Sequence, residues 1–166
     1  MLKILKDEEY LRSILFGFED SLISTTGLIA GISIGSDNNK FVILAVVVSI
    51  AIEAVSMGVG EYLSDDSVKD LDKLKRNKDN PLLSGFLMLI SYIFAGMIPL
   101  LPALFIPFPT SLMLSIVFAF IAFFLLGYIK GKLVHASPLK GGIKILTVGG
   151  IATILGLLIG FVFKLK

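Results

Sequence analysis

The chain contains no cysteine and no tryptophan, a single histidine, and no aspartate or glutamate beyond Asp79. Lacking cysteine, it can form neither a disulfide nor a thiolate metal site. Lacking tryptophan, it must build any aromatic belt from Tyr and Phe. Charge is also scarce: 17% of the 166 residues are charged against 55% hydrophobic, and the mean hydropathy is +0.92. A soluble domain of this length carries more charge and shorter apolar runs. Walker loops, HExxH, CxxC and Ser/His/Asp arrangements are missing, so no enzyme, no permanently bound cofactor and no nucleic-acid partner is expected. The first apolar run carries Glu19 and Asp20 and lacks an A-x-A end, which reads as a retained span rather than a cleavable signal.

What is present is a set of long apolar runs. They predict an all-α polytopic membrane protein, one transmembrane domain over residues 1–166. Spans are expected at roughly 11–35, 40–64, 82–105, 111–129 and 143–163. Residues 1–10 read either as an interfacial lead-in or as a frayed terminus. Ser36-Asp37-Asn38-Asn39 is a turn cluster. The charged connection 64–80 continues the second helix with i,i+4 pairs Asp65–Lys69 and Asp72–Arg76, ending before Pro81. Its acids either concentrate cations at a mouth or belong to a solvated helix. Pro99 and Pro102 are expected to kink or end the third span near one membrane face. Glycines 149, 150, 156 and 160 on the fifth span, like those of the first, predict close helix packing.

With five spans, twelve of the fifteen Lys and Arg fall on one side, leaving Lys40, Lys164 and Lys166 on the other. The positive-inside rule then puts the amino terminus and both basic connections in the cytoplasm and the carboxyl terminus opposite. His135, alone in a basic connection, is assigned no role.

The chemistry concentrates on two helical stripes. On the second span, Ser49, Glu53, Met57, Gly60, Glu61 and Ser64 share one face; on the first, Ser13, Gly17, Asp20, Ser24, Gly27 and Gly31 do the same. A carboxylate at mid-bilayer costs about 2.5–3.5 kcal/mol, so it must face helices, water, protons or cations. Asp20 is thus a cation-path residue, or else a packing acid paired with Arg12 or a backbone group. Glu19 lies to one side and lines either the path or a dimer interface. Glu53 with Met57 one turn on combines oxygen and thioether donors, favouring a softer ion such as Fe²⁺; alternatively Met57 is core filler. Glu61 is an acid at the mouth of a path or an ordinary interfacial charge.

The segments GFEDSLIS at 17–24 and EAVSMGVGEYLS at 53–64 resemble the GxNDGxxS and GAxSMAxGEYxS motifs of the vacuolar iron transporter family. PLLSGF…GMIPLLP and GYIKGKL…SPLKGGIKIL…GG resemble its later signatures, so the likeness covers nearly the whole chain in order. It implies a five-helix homodimer, first helices at its centre, moving Fe²⁺ or Mn²⁺ out of the cytosol against protons. The host membrane would be a cell membrane or, in a eukaryote, a vacuole-type one. It also implies that Asp20 and Met57 lie on the metal path and that Glu61 is the acid of GEY. The chain departs from the motifs at Glu19 (family Asn), Ser21 (family Gly) and Glu53 (family Gly), and its connection 64–80 is too short for the plant-type cytosolic metal-binding domain. Two further readings stay open: a non-transporting membrane interaction protein, and a cation or proton channel.

Overall fold

The computed structural model describes residues 7–36, 38–71 and 80–164, and among them five helices account for nearly everything: α1 (Glu8–Ser36), α2 (Asn39–Leu71), α3 (Pro81–Phe105), α4 (Thr110–Leu133) and α5 (Pro138–Val162). The ranges 11–35, 40–64, 82–105 and 111–129 lie within α1 to α4, and 143–163 runs one residue past the end of α5. Four of them, α2 to α5, are long and apolar enough to cross a membrane. The 29 residues of α1 reach about 43 Å, ample for a span, but Glu19, Asp20 and seven Ser and Thr residues make it the least apolar helix. It is also the enclosed one, packing against each of the other four.

That enclosure explains how α1 tolerates its polarity. Ser13, Ser21, Thr25, Thr26 and Ser33 are buried. Ser21 Oγ donates to the Tyr92 carbonyl at 2.6 Å, and Thr26 Oγ1 to the Leu22 carbonyl one turn back at 2.6 Å. Bonds of this kind remove polar groups from an environment that cannot solvate them. The lipid-compatible surface lies on the other helices, where Leu44, Ile52, Phe94, Ile121, Ile151 and Leu158 are exposed. Apolar surface of that extent marks contact with membrane rather than water.

Pairwise contacts give the register. Ser13 meets Glu61 and Ser24 meets Glu53, so α1 and α2 are antiparallel. Gly17 lies against Met88, and the Asn80 N–H donates to Tyr10 at 2.9 Å, so α1 and α3 are parallel. Helix backbones approach closely at glycine seams. A Cβ at Gly156 would sit 2.1 Å from the Gly27 carbonyl oxygen, and one at Gly160 would sit 2.2 Å from that of Gly31. The expected packing of the first and last spans is therefore a contact within one chain. Similar seams join α2 to α3 at Gly58 and Gly85, and α4 to α5 at Gly127 and Gly141.

The alternation sorts charge as the sequence predicts. Arg12, Lys69, Lys130, Lys132, Lys140 and Lys144 belong to one end of the bundle, Lys40 and Lys164 to the other. At the latter end Asn38 Oδ1 accepts from the N–H groups of Lys40 and Phe41, capping α2. Asn39 donates to the carbonyls of Ala103 and Ile106 and accepts from Ser111, tying the α3–α4 turn to the start of α2.

Helix α3 starts at Pro81 behind Asn80, whose side chain accepts from Leu82 N–H at 3.1 Å. It continues through Pro99 and Pro102 and ends at Phe105, so the prolines sit in its final turns without ending it. At the end of α4, His135 takes a left-handed φ of 54°. Its N–H reaches the Lys132 carbonyl and the Ala136 N–H that of Gly131, a Schellman cap with His in place of the usual Gly. The lone histidine thus has a backbone role. The expected Asp72–Arg76 pair and most of the lead-in lie outside the described residues.

Candidate functional site

Two polar clusters stand between α1 and α2, stacked along the bundle. The inner one centres on Glu53. Ser49, one turn earlier on α2, donates to Glu53 Oε1. Tyr92 of α3 donates to Oε2, and Ser24 of α1 reaches the same oxygen at 3.3 Å while lying 2.8 Å from the Tyr92 hydroxyl. A carboxylate offers about four acceptor positions, and here neutral hydroxyls from three helices occupy three of them. No cation is bonded to Glu53 among the described residues.

Asp20 stands one turn before Ser24, half-buried. It lies within electrostatic reach of both Glu53 and Tyr92 and makes no hydrogen bond among the described residues. Two carboxyl groups therefore share a region that supplies hydroxyl dipoles but no positive charge. Acids placed together inside a membrane-spanning bundle mark a candidate cation path. Met57, also half-buried, follows Glu53 by one turn on α2.

The outer cluster lies toward the basic end. Arg12 Nη2 is 3.2 Å from Glu61 and 3.4 Å from Asp65, and Ser13 Oγ donates to Glu61 at 2.5 Å. The Arg12 side chain is mostly exposed, at 61%, whereas those of the two acids are 12% and 8% exposed. Arg12 accordingly pairs with Glu61 and Asp65, and not with Asp20. Glu19 points elsewhere: it pairs with Lys130 of α4 at 2.5 Å.

The five residues singled out from the sequence thus separate into three places. Asp20 and Glu53 come together with Met57 nearby on the same helix, Glu61 joins Arg12 and Asp65, and Glu19 joins Lys130. Among the described residues no three of His, Asp and Glu gather as a set that could hold a metal ion. Sequence reasoning missed Tyr92 and the pairing role of Arg12. A lone tyrosine mid-way through an apolar span was the available signal for Tyr92, since its hydroxyl must find a partner there. The stripe on α1 also proves to be divided: Ser13 and Ser24 face α2, Gly17 faces α3, and Gly27 and Gly31 face α5.

An open groove of about 580 Å³ runs from Glu53 toward the far end of the bundle, between α1, α2 and α5. Ser24, Gly27, Gly31 and Ser49 line it on one side and Gly156 and Gly160 on the other.

Comparison with known proteins gives concordant matches. The model of the VIT family matches residues 11–79 and 69–161. Vacuolar iron transporter 1 of Arabidopsis thaliana is 25% identical over 87% of this chain and 82% of its own length. Vacuolar iron transporter of Centaurea cyanus is 24% identical over 87% and 84%, and VIT-like transporter 1b of Glycine max is 24% identical over 89% and 73%. The family model spans both the Asp20 and the Glu53–Ser64 segments, together with the glycine-rich α5, and the chain belongs to the VIT family.

Proposed function

We propose that the protein carries a divalent transition metal, Fe²⁺ or Mn²⁺, across a membrane and out of the cytosol in exchange for protons. The observation that carries this reading is the inner cluster. Asp20 and Glu53 share a space between helices that holds hydroxyl donors and no cation. Such a pair is stable with a proton bound, and it offers two anionic oxygens when that proton leaves. A metal ion arriving there displaces the proton, which couples the two movements without further machinery. Met57 adds a sulfur donor one turn away, favouring the softer divalent ions over Mg²⁺ or Ca²⁺.

In this reading α1 crosses the membrane with α2 to α5, and the basic end of the bundle faces the cytoplasm. Glu61 and Asp65 form the mouth, with Arg12 as an internal counter-ion that an incoming metal displaces. Two carboxylates are fewer than a transition metal ordinarily takes, so water or a second copy of the chain completes the ligand set. A homodimer closing over the groove between α1, α2 and α5 would bring two Glu53 clusters to one path. The relatives named vacuolar iron transporter support iron as one of the ions carried.

The test is reconstitution in proteoliposomes with a panel of divalent ions and an internal pH indicator. Transport of Fe²⁺ or Mn²⁺ with opposed proton movement is the expected result. Proton or cation current without exchange would identify a channel instead, and no flux of either kind would leave an interaction protein.

A further inference from the structure

Because every acid lies at or before Asp79, the α4–α5 connection carries Lys130, Lys132, Lys140 and Lys144 with no carboxylate of its own. Among the described residues the fold brings it Glu19, which Lys130 occupies at 2.5 Å. Lys132 lies over the Tyr128 ring, 5.1 Å from its centroid. Lys140 and Lys144, one turn apart on α5, make no hydrogen bond or ion pair among the described residues. Like charges at that spacing repel, and among the described residues the acid that lines the same cavity, Glu19, is bonded to Lys130.

Both lysines line a cavity of about 410 Å³ between α1, α4 and α5, together with Ser137 and the Glu19–Lys130 pair. The Schellman turn at His135 and the close approach of Gly131 to Pro138 shape its rim. Its inner wall is apolar, formed by Ile23, Ile145 and Val148. From Lys144 the exposed face of α5 continues apolar through Val148 and Ile151 to Leu155. A cationic cavity at a helix end, opening onto a strip of lipid-facing aliphatic side chains, matches a ligand with an anionic head and hydrocarbon tails. A free anion would use the lysines but leave the apolar strip unexplained.

We propose that this cavity binds the phosphate of an anionic phospholipid, with Lys140 and Lys144 as its counter-charges and the acyl chains lying along Val148 and Ile151. The site is separate from the inner cluster and does not depend on the transport reading. Membrane-surface attraction of basic residues operates on the same electrostatics, but here the fold concentrates it at one place.

The experiment measures binding of phosphatidylglycerol to the purified full chain in neutral detergent, by native mass spectrometry and by the rise in unfolding temperature. Phosphatidylcholine and inorganic phosphate serve as alternative probes. The parent should retain phosphatidylglycerol and be stabilised by it, and neither alternative should match that effect. The double substitution Lys140→Gln, Lys144→Gln should weaken retention by about tenfold or more, whereas Lys140→Arg, Lys144→Arg should keep it. Lys132→Gln removes one charge beside the cavity and should change retention little. Equal stabilisation by inorganic phosphate would overturn the lipid assignment. Equal retention by parent and double-Gln protein, or an equal loss with Lys132→Gln, would show diffuse surface charge and overturn the site.

Discussion

The inner and outer acid clusters use the same residue types on the same two helices, yet they settle their charge in opposite ways. Around Glu61 and Asp65 the protein supplies its own cation, and Arg12 bridges both acids at the edge of solvent. Around Glu53 it supplies only hydroxyls, from Ser49, Ser24 and Tyr92, and leaves Asp20 without a hydrogen bond among the described residues. Glu53 to Glu61 is eight residues, about 12 Å along α2. Within that distance the chain passes from an acid held by hydroxyls alone to acids bridged by a cation. An acid that is already paired contributes to structure and to the local field. An acid solvated by neutral dipoles keeps its capacity to exchange a proton for a cation.

The sharpest way to break this comparison is to remove one charge from each cluster. Asp20→Asn preserves shape and should reduce Fe²⁺ or Mn²⁺ uptake in proteoliposomes to the level of empty vesicles, with the protein still folded. Arg12→Gln should leave uptake within about threefold of the parent, because the arginine side chain lies largely in solvent and holds neither Asp20 nor Glu53. Equal losses from the two changes would erase the distinction between the clusters.

The seam that holds α1 in place offers the next largest effect. Gly156→Leu places a side chain where even a Cβ would lie 2.1 Å from the Gly27 carbonyl oxygen. Forcing volume into a packed contact costs about 1–3 kcal/mol, so the unfolding temperature should fall clearly. Gly60→Ala meets nothing within 4 Å and should leave that temperature unchanged. If both variants melt with the parent, the α1–α5 contact is not the one described.

Much of this arrangement was legible beforehand. Five apolar runs and their turn clusters place the helices within a few residues, since hydropathy and proline or asparagine punctuation are local properties. Ser49 and Glu53 could be paired from i,i+4 spacing alone. Ser24 and Tyr92 could not be joined to Glu53, because they come from other helices and only packing brings them together. The stripe on α1 misled for a related reason. Its residues span an arc wide enough that an enclosed helix shows them to three different neighbours. The alternative reading of Asp20 as a packing acid paired it with Arg12, eight residues back along the same helix. Arg12 instead reaches across to α2, where the antiparallel register puts two acids within 3.4 Å.

Smaller effects refine the inner cluster. Tyr92→Phe removes the phenol that donates to Glu53 and should cost about 1.5–3 kcal/mol of stability, the usual range for a bond to a charged group, while shifting the pH profile of uptake. Unchanged stability and pH profile would mean that the phenol does not sustain the cluster. Met57→Leu keeps apolar volume and removes sulfur. It should narrow the preference for Fe²⁺ over Mg²⁺ in competition uptake more than it lowers total flux; an unaltered preference would return Met57 to the role of core filler.

The central claim is that the uncompensated carboxyl pair exchanges protons for metal. Its most direct test is metal-driven proton movement, recorded with a trapped pH indicator in proteoliposomes of the parent and of Glu53→Gln. The account predicts that adding Fe²⁺ or Mn²⁺ to the parent drives protons in the opposite direction, and that Glu53→Gln loses most of this coupling together with the pH dependence of uptake. Metal-driven proton movement of equal size in both proteins would contradict it.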